Sequence, residues 1–184
     1  MRPGFSIDDN TLIHPDYMRL LDNFTTFRFM PYLQTNAHKV NSEYECEGPS
    51  SVDWDERWNP NAPQSCGGTN GGSWELAVEL CNQFGKDLWV NIPIVASDEY
   101  VTQLARMMRA NLRPGLNINI EIGNETWNWG GGFCCSRQIE DKCGEGNGYC
   151  HMIWQAERLK QVIEIFASVW SWNEINNRIR GILC

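Results

Sequence analysis

The residues of this chain best suited to chemistry lie in one short run, Asn117 to Asn128, reading NINIEIGNETWN. Ile118, Ile120 and Ile122 alternate with Asn117, Asn119, Glu121, Gly123 and Glu125, the period-2 pattern of a strand with one apolar and one polar face. Under helices the isoleucines face the helical layer, and the polar set faces away, ending on Glu125 at the carboxyl end of the strand. A carboxyl group there, preceded by the Asn124 amide and followed by Trp127 and Trp129, suits cleavage of a glycosidic bond. One carboxyl protonates the leaving oxygen while a second acts as nucleophile or base, about 5–5.5 Å away for retention. Asn124 is a donor for a sugar hydroxyl, and Trp127 a floor for the ring. Glu121 does not suit the second carboxyl, because four residues of strand span about 13 Å.

Each of these residues has a second reading. Glu125 also suits a structural carboxylate paired with a neighbour such as Arg28. Arg28 in turn suits a partner that tunes a carboxylate, a ligand for sugar hydroxyls, or one half of a plain core ion pair. Glu75 reads as a first-turn dipole partner of its helix. Asn124-Glu125-Thr126 and Asn23-Phe24-Thr25 both match the N-glycosylation sequon. A glycan on Asn124 would block the strand end, so glycosylation and catalysis there are rivals, and Asn23 is the better acceptor.

The eight cysteines are Cys46, Cys66, Cys81, Cys134, Cys135, Cys143, Cys150 and Cys184. Several stand in Gly-rich or polar stretches, which predicts disulfides and a secreted, extracellular protein. Cys134, Cys135, Cys143 and Cys150, with His151, lack the C-x-x-C pairs of a zinc site, so neither metal nor cofactor is expected. The favoured arrangement has two disulfides among those four cysteines and one between Cys46 and Cys66. Cys81 is either a buried thiol or the partner of Cys184. The start, MRPGFSIDDN, has no apolar segment of the kind a signal peptide needs, so secretion implies a leader already removed or an incomplete sequence.

The net charge of -8 speaks against nucleic acid, which needs a basic footprint, and against an anionic membrane surface. No apolar run reaches the roughly 18 residues of a spanning helix. A neutral polysaccharide or glycan remains compatible. Among the nine tryptophans, Trp54, Trp58, Trp127 and Trp129 occupy polar or Gly-rich surroundings where an exposed indole can stack on a sugar.

The elements that must hold these residues alternate helix and strand: a helix in His14 to Asn23, a strand from Phe24 to Leu33, and an irregular excursion from Asn36 to Gly72. The run GGTNGG at its end lacks the Lys-Ser/Thr of a phosphate loop and reads as a turn. A helix follows, capped by Ser73 and closed by Gly85, then a strand from Lys86 to Ile94. The next helix is capped at Ser97 or Asp98 and ends at Pro114-Gly115. After the strand from Asn117 to Glu125 come an irregular loop from Gly130 to Gly148, a long helix from Tyr149 to Trp170, and a final strand in NNRIRGILC. Successive βα units of this kind predict an α/β domain over residues 1–184 with a parallel sheet.

The order of elements and the strand-end Asn-Glu resemble clan A glycoside hydrolases. RFMPYLQTN, WDERW, WELAVELCNQFGKDLWVNIP and IEIGNETWNWG are similar to a group of hydrolase-like barrel proteins. The resemblance covers most of the chain outside Cys134 to Cys150. It implies a partial (β/α)8 TIM barrel, about strands two to five, with Cys-rich loops. It further implies a retaining O-glycoside hydrolase in which Asn124 and Glu125 supply the acid/base at the fourth strand. Arg28, Asn36, Trp127 and Trp129 are the matching candidates for substrate binding. In clan A the nucleophile is a Glu at the seventh strand, outside these residues, and a whole barrel needs roughly 250 residues. The remainder of a barrel, or a second copy, is therefore the expected protein partner. The alternatives are a hydrolase-derived, non-catalytic structural glycoprotein of an extracellular assembly or filament, and a barrel that binds carbohydrate without turnover.

Overall fold

The computed structural model describes residues 15–37, 49–58, 60–61, 71–128, 133–143 and 149–183. In chain order the elements are α1 (Pro15–Leu21), β1 (Thr26–Arg28), α2 (Trp74–Phe84), β2 (Asp87–Ile92), α3 (Asp98–Asn111), β3 (Ile118–Ile122), α4 (Cys134–Cys143), α5 (Cys150–Val169), α6 (Trp172–Arg178) and β4 (Ile179–Ile182), with short 3-10 turns at Thr35–Ala37 and Trp54–Glu56. The four strands form one all-parallel sheet in the order β1-β2-β3-β4. Each strand thus pairs with the next in sequence, and the order never reverses as it does at the switch point of a doubly wound sheet.

Local sequence explains where the helices start and stop. The Ser73 hydroxyl accepts from the Leu76 amide, and Gly85 takes the left-handed conformation (φ 66) that closes α2. The Ser97 hydroxyl accepts from Tyr100 to cap α3. Paired register places Leu88 beside Ile118, Val90 beside Ile120 and Ile92 beside Ile122, so these six side chains share one face. All six are buried, in one continuous core with Ala77, Val78 and Cys81 of α2, Val101, Leu104 and Met108 of α3, and Leu159, Val162 and Phe166 of α5. Burial of each such aliphatic side chain contributes about 1.5–3 kcal/mol. The isoleucines of β3 therefore do stand on the helix side.

Several expectations are corrected. The strand drawn from Phe24 to Leu33 is only three residues long. Pro31, which has no amide hydrogen for a ladder, sits in the turn that follows, where the Leu33 amide donates to the Phe29 carbonyl (2.9 Å). The irregular loop from Gly130 to Gly148 contains α4, with Ile139 buried. The strand drawn through NNRIRGILC begins only at Ile179, because Ser171 caps the intervening α6 through the Glu174 amide. Within the excursion, Val52 forms a parallel bridge with Ala96 and is wholly buried. Cys46, Cys66, Trp129 and Cys184 lie outside the described residues.

Candidate functional site

Beyond Ile122 the chain leaves the sheet abruptly. Gly123 takes a positive φ of 67, and its amide still donates to the Ile92 carbonyl (2.8 Å). A Cβ built there would stand 2.9 Å from Ile94 Cγ1, so this position needs glycine on both conformational and steric grounds. Asn91 clamps the turn from β2, donating through Nδ2 to the Gly123 carbonyl (2.8 Å). Gln155 on α5 donates to the Ile122 carbonyl (3.0 Å). The carboxyl end of β3 is thus tied to the strand beside it and to the helix behind it.

Glu125 follows in a left-handed conformation with φ 48, one of three non-glycine residues with positive φ among those described. Such a backbone costs a non-glycine residue about 1–2 kcal/mol, and strain of this kind gathers at functional sites. Its turn is closed by the Asn128 amide donating to the Glu125 carbonyl (2.7 Å). Asn128 Nδ2 also donates to Glu125 Oε2 (3.0 Å). The Glu125 side chain is half-buried, within reach of a ligand at the rim.

Behind it lies a network in which Arg28 pairs with a different carboxylate from the one its spacing suggests. Arg28 Nη2 donates to both oxygens of Glu121, at 3.0 and 2.8 Å, and to Asn124 Oδ1 at 2.8 Å. Trp89 Nε1 donates to Glu121 Oε2 (2.9 Å), and the guanidinium lies 5.3 Å from the centre of the Trp89 ring. Glu121 is 0% exposed and Asn124 5%. The carboxylate paired with Arg28 is therefore Glu121 and not Glu125. With Oδ1 accepting from Arg28, the orientation of the Asn124 amide is fixed. Its burial also leaves little room for a glycan, whereas Asn23 is exposed. Glu121, set aside because of its distance along the strand, is thus the carboxylate that fixes the site's frame. The signal was present in the period-2 alternation, which places it on the polar face.

The other candidates are spread around the same edge. Trp127 is 55% exposed. Asn36 is half-buried, and its Oδ1 is buried without a partner; the preceding Thr35 donates to the Asn91 carbonyl (3.1 Å). Trp54 does not offer a free face: Arg57 covers it at 4.0 Å and Tyr100 packs edge-on at 5.3 Å. Trp58 is half-buried. Glu75 serves its helix start and also pairs with Arg57 (2.6 Å). Cys150 is disulfide-bonded, whereas Cys135 is a buried thiol, so two bridges among Cys134, Cys135, Cys143 and Cys150 do not form. Cys81 is a buried thiol as well, and burial, with Asp87 adding to it, pushes its pKa up to about 12. Among the described residues no cluster of His, Cys, Asp and Glu could hold a metal ion, and no helix is long and apolar enough to cross a membrane.

The chain is thus an α/β protein whose parallel sheet carries a polar, partly strained rim at the end of β3. Comparison with known proteins finds no matching family model, no matching curated protein and no matching solved structure.

Proposed function

We propose that this chain forms part of a secreted (β/α) barrel that hydrolyses glycosides, with Glu125 as the acid/base and Asn124 as the donor to a sugar hydroxyl. The observation that carries the reading is the strained backbone of Glu125 (φ 48) at the carboxyl end of β3. That strained turn carries a half-buried carboxyl just past the end of the strand, next in sequence to an amide whose orientation Arg28 has set. The unreversed strand order with one apolar face under helices supports a barrel over a doubly wound sheet. In this mechanism Glu125 protonates the leaving oxygen and then, as carboxylate, activates water. The second carboxylate is not Glu121, whose two oxygens are committed to Arg28 and Trp89. A panel of 4-nitrophenyl β-glycosides tests the assignment. Glu125→Gln abolishes turnover while sugar binding, read by calorimetry, stays within about twofold; unchanged turnover sinks it.

The exposed sequon at Asn23, beside exposed Phe24, favours a second reading, a non-catalytic extracellular glycoprotein of the same ancestry. A glycan on Asn23, together with no turnover on any glycoside, would support that reading instead.

A further inference from the structure

The backbone of the Glu125 turn is held from two sides. The Asn128 amide donates to the Glu125 carbonyl at 2.7 Å, and Ser136 Oγ on α4 donates to the same oxygen at 3.4 Å. Thr126, inside the turn, is fully buried. The Asn128 side chain makes a separate contact, Nδ2 donating to Glu125 Oε2 at 3.0 Å. An ionised carboxylate only accepts, so the amide must turn its nitrogen, not its oxygen, toward it. One oxygen of the Glu125 carboxyl is thereby engaged, and among the described residues no donor engages Oε1.

We propose that Asn128 is a positioning residue whose side-chain amide fixes which oxygen of Glu125 carries the proton. The inference rests on the glycosidase reading and assigns the two oxygens of its acid/base. A neutral carboxyl has one O–H oxygen and one carbonyl oxygen, and an amide donor is best met by the carbonyl oxygen. Nδ2 selects Oε2 for that role and leaves the proton on Oε1. In the first step the Oε1–H bond breaks and the proton passes to the glycosidic oxygen. That oxygen keeps the electron pair of its bond to the anomeric carbon, which is taken by the nucleophilic carboxylate of the reading, outside these residues. The Nδ2 donor then stabilises the Glu125 carboxylate left behind, since a hydrogen bond to an ionised acceptor is the stronger kind. In the second step Oε1 takes a proton from the attacking water. Without the Asn128 amide the carboxyl turns freely, and its two oxygens exchange places.

Measuring kcat/KM on phenyl and 2,4-dinitrophenyl β-glycosides of glucose, galactose and xylose tests the proposal. A phenolate departs only with a proton, whereas a dinitrophenolate departs without one, so placement of the acid shows on the phenyl substrates alone. Asn128→Ala keeps the backbone amide that closes the turn, and circular dichroism can check that it folds. It is expected to lower kcat/KM about tenfold on the phenyl substrate and no more than about twofold on the dinitrophenyl one, a part of the 10²–10⁴-fold that a general acid supplies. Asn128→Asp keeps the shape and exchanges the donor for an acceptor, so its loss on the phenyl substrate should be at least as large. Equal losses on the two substrates, as a general loosening of the turn would give, overturn the inference; so does no loss on the phenyl substrate, or a smaller loss in Asn128→Asp than in Asn128→Ala. In those cases the glycosidase reading still stands if Glu125→Gln removes turnover of the phenyl substrate. A wild-type chain that turns over neither substrate of any sugar overturns both.

Discussion

Replacing Arg28 by Met tests the physical core of the site. Glu121 is fully buried and receives two hydrogen bonds from Arg28 and one from Trp89. Removing one partner of a buried pair costs about 3–5 kcal/mol, because the other charge is left uncompensated. The Arg28 side chain, however, is 35% exposed, so water enters the vacated space and rehydrates part of the carboxylate, which brings the expected loss to about 2–3 kcal/mol. For a chain of this length that corresponds to a fall in Tm of roughly 5–10 °C. Urea unfolding should show the midpoint lowered with an unchanged m-value. The double variant Arg28→Met/Glu121→Leu removes both charges and should recover at least about 1 kcal/mol of the loss, the coupling expected of two residues in direct contact. A single-variant loss below about 1 kcal/mol, or simple additivity in the double variant, would refute the reasoning.

Three further outcomes follow from the same geometry. Glu125→Asn places a residue tolerant of positive φ in the strained turn but also removes the Asn128 hydrogen bond to the carboxyl; against an Asn128→Ala background, where that bond is already gone, it should raise stability by about 0.5–1 kcal/mol, and a loss there on urea unfolding would contradict the strain. Tyr100→Phe leaves the Trp74 indole N–H, now 2.5 Å from the Tyr100 hydroxyl, buried without an acceptor, and should cost about 1–3 kcal/mol. Cys81 keeps its proton in the folded state up to about 12, whereas the unfolded thiol ionises near 9.0. Its contribution to stability is therefore complete below pH 9 and is lost as the pH rises from there toward 12; Cys81→Ala should flatten that alkaline decline in chemical denaturation.

Much of the fold was legible because short-range rules govern it. Ser73, Gly85 and Ser97 mark the helix ends they were expected to mark, since capping depends on neighbours a few residues apart. The alternation in NINIEI fixed which residues of β3 meet the helices, because a strand has period 2 whatever it pairs with. Where the reading failed, the deciding contact was distant or the local signal was mixed. FTTFRFMPYL has strand composition, yet only Thr26–Arg28 find ladder partners on β2. The Cys-rich segment looked irregular, yet it holds a helix whose Ile139 is buried.

The sequence by itself determined an α/β chain, the faces of its central strand, and a carboxylate with an amide beside it at that strand's end. Only the tertiary structure decided which carboxylate Arg28 holds. Arg28 and Glu121 are 93 residues apart, and their meeting depends on the register of three strands, which no local pattern encodes. The same packing fixes the Asn124 amide. Periodicity assigns a side chain to a face, but its partner on that face is set by the elements that fold against it.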